Sequence, residues 1–278
     1  MALPGASGSL FVVSTPIGNM GDMSFRAVEI LGSAALVVAE DTRHSRHLLD
    51  HFEIPTPCTP YHEHNEARET PRLIARLEAG ESIALITDAG TPLLSDPGAR
   101  LVSAAIAAGV DVIPVPGASA ALAALVASGI AADRFTFFGF LPRKGKDRSR
   151  ALSELARLPH TAVVYESPLR VAATLADLSA VGAGERSAVV ARELTKKFEA
   201  FARGTVDDLA ARFADKSPRG EVVVVVAGAI LTRLDDDTLR SISTELRGDG
   251  CSTREIIERL ISEHGAARNV AYRLAHEE

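Results

Sequence analysis

The sequence predicts an α/β protein with a mostly parallel sheet in its first half, a mixed sheet in its second and a helical tail. Three observations predict it. Short Val/Ile/Leu runs alternate with amphipathic stretches through residues 10–115, the pattern of strands covered by helices on both faces. After residue 135 the apolar runs follow one another with fewer helices between them, which suits strands of mixed direction. From residue 234 onward no strand-like run remains.

The elements follow in order. Residues 10–13 read as a strand, then come a Gly- and Pro-containing loop and a helix over 24–31. A second buried strand spans 35–39 and a second helix 42–52. A loop around Pro55-Thr56-Pro57 leads to a helix over 69–79, with Leu73, Ile74 and Leu77 on one face. A strand over 83–87, a helix over 99–108 and a strand over 110–115 close this half. The Ala/Gly-rich stretch 118–132 reads as a helix, a fixed joint rather than a flexible linker. Strands over 135–140, 161–165, 187–191, 199–203 and 222–227 follow, with helices over 148–157, 171–178 and 207–213. In the tail, Ser252-Thr253-Arg254-Glu255 is a capping box opening a helix that Gly265 stops, and 266–275 forms another. Such a pair is helix-turn-helix-like, and serves either as a packed tail or as a substrate-contacting module. The expected domains are 1–117, 118–232 and 233–278.

Composition excludes several classes. With 46% hydrophobic residues in 278, the chain has enough apolar surface to offset its conformational entropy, so it is not disordered. No stretch approaches the roughly 18 uninterrupted apolar residues of a membrane span. The opening MALPGASGSLFVV lacks the basic segment and long apolar core of a secretory signal. Cys58 and Cys251 stand alone, so no disulfide framework or zinc knuckle is indicated. A soluble, cytoplasmic protein is expected. The net charge of −6 argues against coating nucleic acid through bulk charge, but leaves room for a local basic patch. Residues 142–150 supply one, with Arg143, Lys144, Lys146, Arg148 and Arg150 against Asp147.

Ligands of such sheets bind at the carboxyl ends of the strands. Three loops there are rich in small residues: 14–22 with Pro16 and Ile17, 88–92 (Asp88, Ala89, Gly90, Thr91, Pro92) and 116–120 with Ser119 and Ala120. Small residues let backbone approach a ligand closely, and three such loops together point to a small-molecule pocket. The first lacks the G-x-G-x-x-G spacing of a dinucleotide site. Glu40-Asp41-Thr42-Arg43 places two carboxylates and a guanidinium at the same sheet edge, although Asp41 or Thr42 alone could simply cap the next helix. Tyr61-His62-Glu63-His64-Asn65-Glu66 is a dense polar run in which His62 and His64 point oppositely if it is extended, and no fourth metal ligand is evident. His44, His47 and His51 share a helix face but lack a partner motif, so a solvated or RNA-facing face is favoured over a metal.

The runs VVSTPIGNMGD, AEDTRHSRHLL, YHEHNE, ITDAGTPLLSDPG, PVPGASAA, FGFLPRKGK, VYESPLR and ARELTKKFE occur in this order over residues 12–199. This series resembles the ribosomal small subunit methyltransferase I family, bacterial 16S rRNA (cytidine-2′-O)-methyltransferases of the tetrapyrrole methylase superfamily. The resemblance implies two α/β/α domains of the tetrapyrrole methylase type with a cofactor cleft between them, plus a C-terminal helical extension, usually as a homodimer. It implies S-adenosyl-L-methionine as cofactor and, as substrate, a cytidine ribose in the decoding region of 16S rRNA within the small subunit. Porphyrin-modifying members carry a glycine-richer first loop; Pro16-Ile17-Gly18-Asn19-Met20 departs from it toward the rRNA branch.

On this resemblance the cofactor residues are Asp88–Pro92, Ser119 and Ala120, with Pro16, Ile17, Tyr165, Glu166, Arg192 and Glu193 completing the cleft. A ribose hydroxyl is a poor nucleophile, and general-base help contributes roughly 10²–10⁴-fold. Glu40, Asp41, His62, His64 and Lys196 are candidate bases, Arg43 joins the catalytic set, and the sequence does not choose among them. No metal follows from this chemistry. The basic run 143–150 is the candidate RNA-binding surface. Two rivals remain: a porphyrin-precursor C-methyltransferase, which has no use for that run, and a non-catalytic ribosome assembly factor, which needs no cofactor loops.

Overall fold

The computed structural model describes residues 8–215, 217–229, 235–262 and 264–277. Residues 1–7, read above for a leader, and 230–234, where the tail was expected to begin, lie outside these. The chain divides into two compact units. One contains both sheets, and the other contains Arg157–Pro159 with the C-terminal helices.

Five parallel strands form the first sheet: β1 (Ser9–Val13), β2 (Leu36–Ala39), β3 (Cys58–Pro60), β4 (Ile83–Leu85) and β5 (Asp111–Val115), in the order β3-β2-β4-β1-β5. Alternation along each strand divides its side chains between two layers. On β2, Val37 and Ala39 pack with Ala27, Leu31 and Leu49 from α1 (Phe25–Ser33) and α2 (Thr42–His51). Leu36 and Val38 face the other way, onto Leu73, Leu77, Leu101 and Ala105 of α3 (Glu66–Glu78) and α4 (Ala99–Ala107). The chain leaves β1 toward β2 on one side and crosses from β4 to β5 on the other, so the order reverses beside β1. Such a reversal opens a crevice at the strand ends.

Helix α5 (Ala120–Ser128) leads to the second sheet and stops at Gly129, whose φ of 79° is the left-handed geometry of a C-cap. The strands β6 (Phe135–Phe140), β7 (Thr161–Glu166), β8 (Ser187–Arg192), β9 (Ala200–Thr205) and β10 (Val222–Val226) lie in the order β6-β7-β10-β8-β9. Only β6 and β7 are parallel; the sheet is mixed, as expected. Ala121, Ala124 and Leu125 of α5 cover one face, against Val163, Val189, Ala191, Val223 and Val225. Helices α6 (Gly145–Arg157), α7 (Val171–Leu178) and α8 (Val206–Phe213) complete this half. Three further helices form the tail: α9 (Asp236–Gly248), α10 (Thr253–Ser262) and α11 (Arg268–His276). The Ser252 amide donates to Glu255 (2.8 Å) and the Glu255 amide to the Ser252 hydroxyl (3.4 Å), the two bonds of the expected capping box.

Four differences from the sequence reading have simple causes. Strand β3 was missed because three residues ending in Pro60 give no period; as an edge strand it needs no amide there. Helices α3 and α6 each start three residues early, so both polar runs partly enter helices. The strand expected over 83–87 ends at Leu85. The capped C-terminal helix begins at Thr253 but the next begins only at Arg268, two residues late.

Arg186 is nearly buried and donates to the carbonyls of Ala227 (2.6 Å), Leu155 (2.9 Å) and Ala156 (3.2 Å), tying the end of α6 to the end of β10. Arg186→Ala removes the donor from one buried and two partly buried carbonyls. It is expected to cost about 3 kcal/mol in urea unfolding, and an unchanged midpoint contradicts this.

Candidate functional site

The site is built where the loops after β1, β4 and β5 meet. Thr15 and Gly90 pair as an isolated antiparallel bridge: the Thr15 amide donates to the Gly90 carbonyl (2.8 Å) and the Gly90 amide to the Thr15 carbonyl (3.1 Å). Gly90 adopts φ 87°, a geometry that favours glycine. The Ser14 hydroxyl donates to Thr91 Oγ1 (3.1 Å), and Thr91 in turn donates to the Ala118 carbonyl (3.1 Å). A Cβ at Gly117 would lie 2.9 Å from the Ser14 Cβ, so only glycine admits this approach.

Beside this clasp lies a cleft of about 430 Å³, walled by both halves. Of the expected cofactor residues, Ile17, Asp88, Ala89, Gly90, Thr91, Ala120, Tyr165 and Glu166 line it. Pro16 and Pro92 are buried and do not line it, and Ser119 is nearly buried with its hydroxyl against that of Tyr165. The Tyr165 ring packs edge-on against Phe137 and Phe140, and its hydroxyl accepts from the Ala121 amide at 3.3 Å. Burial pushes that phenol up. The Glu166 carboxylate is committed to the Ser167 amide (2.8 Å), Thr174 (2.6 Å) and Arg170 (3.3 Å). Glu193 and Arg192 do not line the cleft. Glu193 accepts from the Glu221 amide (3.0 Å) and Lys196 (3.3 Å), while Arg192 falls on the other face of β8, because Val189 and Ala191 take the inward positions.

A second cavity of about 450 Å³ adjoins the cleft, lined by Glu40, His62, Glu63, His64, Ser95, Asp96 and Pro97. Glu40, Ser95 and Asp96 belong to both walls. Burial, with Asp88, Asp96 and Glu63 nearby, pushes the Glu40 carboxyl above the usual range, against the pull of His62. Burial raises Asp96 as well. The His62 and His64 rings meet edge-on at 5.9 Å, and the Asn65 side chain accepts from the His62 amide.

Other expected residues stand apart from these cavities. Asp41 caps α2 through the Arg43 amide (2.8 Å) and pairs with the Arg43 guanidinium (2.9 Å), which holds its carboxyl down to about 2. The Asp41 amide donates to Asp88 (3.1 Å), so the EDTR run still anchors the cleft's central carboxylate. Lys196 lies over Gly18 and bridges Glu193 and Glu221 (2.9 Å). His44, His47 and His51 are exposed on α2. Among the described residues no group of three or more His, Cys, Asp or Glu is arranged to hold a metal. In the basic run, Arg148 is spent on Asp177 (2.6 Å) and Thr174, and Arg150 lies 3.8 Å from Asp147. Arg143, Lys144 and Lys146 are exposed.

The sequence offers Ser95 and Asp96 only as the part of the 88–98 loop that opens the next helix, and does not assign them to the site. Leu93 (φ 73°) and Ser95 (φ 72°) are left-handed without being glycine, strain of the kind that gathers at functional sites. No sequence signal announces it.

The family model for tetrapyrrole (corrin/porphyrin) methylases matches residues 9–210. A Synechocystis protein named ribosomal RNA small subunit methyltransferase I is 46% identical over 97% of this chain and 98% of its own length. Its Pseudomonas aeruginosa namesake is 52% identical over 80% of each chain. The chain belongs to the ribosomal RNA small subunit methyltransferase I family. Solved tetrapyrrole methylases share the fold. Uroporphyrin-III C-methyltransferase from Thermus thermophilus, complexed with S-adenyl homocysteine, has a TM-score of 0.57 at 19% identity, covering 79% of this chain and 97% of that one. A cobalt precorrin-4 methyltransferase has a TM-score of 0.61 at 18% identity, covering 82% and 98%. The tetrapyrrole methylase fold read from the motifs is thus the fold of this family.

The raised Glu40 carboxyl carries a stability consequence. A carboxyl whose folded pKa is raised supports stability below its unfolded pKa and loses that support as pH rises through the folded value. Glu40→Gln is therefore expected to raise the melting temperature at pH 7.5, with the gain shrinking as pH falls to about 4. A gain that is absent at neutral pH, or independent of pH, contradicts the placement of Glu40.

Proposed function

We propose that this member of the family transfers a methyl group from S-adenosylmethionine to the 2′-hydroxyl of a cytidine in the decoding region of 16S rRNA. The observation that carries the reading is the pair of joined cavities, one largely apolar with glycine-bearing walls, one polar, meeting at Glu40, Ser95 and Asp96. The apolar cleft fits the cofactor. Its volume is that of a small-molecule site, and backbone approaches freely at Gly90. When bound there, S-adenosylmethionine supplies an electrophilic methyl on a sulfonium.

The chain's own residues do the rest. Ile17, the 88–91 loop, Ala120 and Tyr165 hold and orient the cofactor, with Pro16, Pro92 and Ser119 behind them. The Asp88 carboxylate tolerates the positive sulfonium. The ribose enters the polar cavity, where Glu40 takes the 2′-hydroxyl proton. A carboxyl raised above the usual range suits that task better than an ordinary one. His62 and His64 position the sugar, and Asp41 and Arg43 fix the start of α2 behind Glu40. Lys196 and Glu193 brace the opposite rim. Fixed geometry is the main demand of an in-line displacement, where it removes roughly 7–11 kcal/mol of barrier.

Arg143, Lys144 and Lys146, exposed at the start of α6, meet the RNA of the small subunit. The protein works in the cytoplasm as a homodimer; half-exposed Leu122 and strongly exposed Val126 on α5 offer an apolar face for a second copy. A porphyrin substrate is disfavoured by the charged lining of the second cavity and by that basic helix start.

The test is mass spectrometry of 16S rRNA from the host with the gene deleted. One 2′-O-methylcytidine is expected to disappear, to return with the wild-type gene, and to stay absent with Glu40→Gln. The triple variant Arg143→Ala, Lys144→Ala, Lys146→Ala should restore it only in part. A full complement of 2′-O-methylcytidine in the deletion strain overturns the reading.

A further inference from the structure

A third cavity, of about 650 Å³, lies beyond the β8–β9 edge of the second sheet. Arg192 of β8, Arg212 of α8 and Arg219 of the following loop line it together with Phe201 and Phe213. Among the described residues no carboxylate is in its lining, although the protein as a whole is acidic. Neither the Arg192 nor the Arg219 side chain makes a hydrogen bond or ion pair among the described residues, and the Arg212 guanidinium meets only the Phe213 ring, at 5.7 Å. The carboxylate nearest in sequence, Glu193, feels the Arg192 charge but is itself bound to Lys196 and the Glu221 amide.

Three guanidiniums around one concavity repel one another unless an anion joins them. The guanidinium fork matches phosphate oxygens two at a time, which an ammonium does not. The Phe213 ring adds an aromatic face of the kind on which bases stack, whereas Phe201, paired with inward Ala191, turns its ring to the other face of the sheet under Arg203. Position supplies the remaining argument. Ser217, Pro218 and Arg219 face this cavity, and the next residues of the same loop, Gly220 and Glu221, wall the cofactor cleft. One short stretch of chain separates the two.

We infer that the arginine cavity binds phosphodiester groups of the RNA substrate as the strand passes over the loop 217–221 on its way from the methylation site. The inference rests on the RNA reading above. The cavity then sets the register of the strand, because phosphate contacts position a nucleic acid and base contacts specify it.

The test uses the full chain and the double variant Arg212→Ala, Arg219→Ala, neither residue lining the cleft. Binding to unmethylated small ribosomal subunits is measured over a salt series, with S-adenosylhomocysteine calorimetry on the same samples. The double variant is expected to bind subunits about tenfold or more weakly, since a charge-assisted contact is worth at least that much. Its log–log salt slope should fall by between about one and two units, with S-adenosylhomocysteine affinity unchanged. Wild-type subunit affinity and slope in the double variant overturn the inference. So does the case in which inorganic pyrophosphate raises the wild-type melting temperature, and not the variant's, while RNA binding is equal; the cavity then serves a free anion. If wild type does not bind subunits at all, the proposed function fails separately, and a single-stranded 12-mer RNA decides the cavity. Weaker binding by the variant supports the inference, and equal binding refutes it.

Discussion

The pairing of Thr15 with Gly90 holds the loops after β1 and β4 together at the reversal of strand order, and the site depends on it. Parallel strands deliver their loops to one edge, but they do not fix the loops against each other. Here backbone hydrogen bonds do so, and the Ser14–Thr91–Ala118 chain extends the clasp to the loop after β5. Small residues are the condition for it: Gly90 for the left-handed turn, Gly117 for the contact with Ser14. With the loops fixed, Asp88 takes its place below the Asp41 amide, and α5 starts close enough for the Ala121 amide to reach Tyr165 of the second sheet.

Charge is sorted around this frame. Carboxylates gather where the two joined cavities meet, and burial raises Glu40 and Asp96 there. Such crowding costs folding stability, which active sites commonly give up. Unpartnered arginines gather instead beyond β8, and exposed cations at the start of α6. The net charge of −6 describes neither region.

Much of this was legible in the sequence. The three loops showed themselves because glycine, proline and small polar residues at strand ends have few other uses, and all three meet at the cleft. Alternating runs gave both sheets. What escaped needed tertiary information. Asp96 reaches the site through left-handed Leu93 and Ser95, which no residue pattern marks. Arg148 looked like part of a free basic patch, and Asp177, 29 positions away, takes it. Strand parity alone would have moved Arg192: with Val189 and Ala191 inward, residue 192 points outward. The polar run 61–66 left metal and ribose roles open, and only its junction with Glu40 and Asp96 gives it a place.

The central claim is that close approach of the three loops creates the cofactor cleft. Calorimetric titration of S-adenosylhomocysteine into wild type and Gly117→Ala tests it most directly. The added methyl must push the loop after β5 away from Ser14, and overpacking of that kind costs about 1–3 kcal/mol. The account predicts a dissociation constant raised about tenfold, with the α/β unit still folded by circular dichroism. Wild-type affinity in a folded Gly117→Ala protein would contradict it.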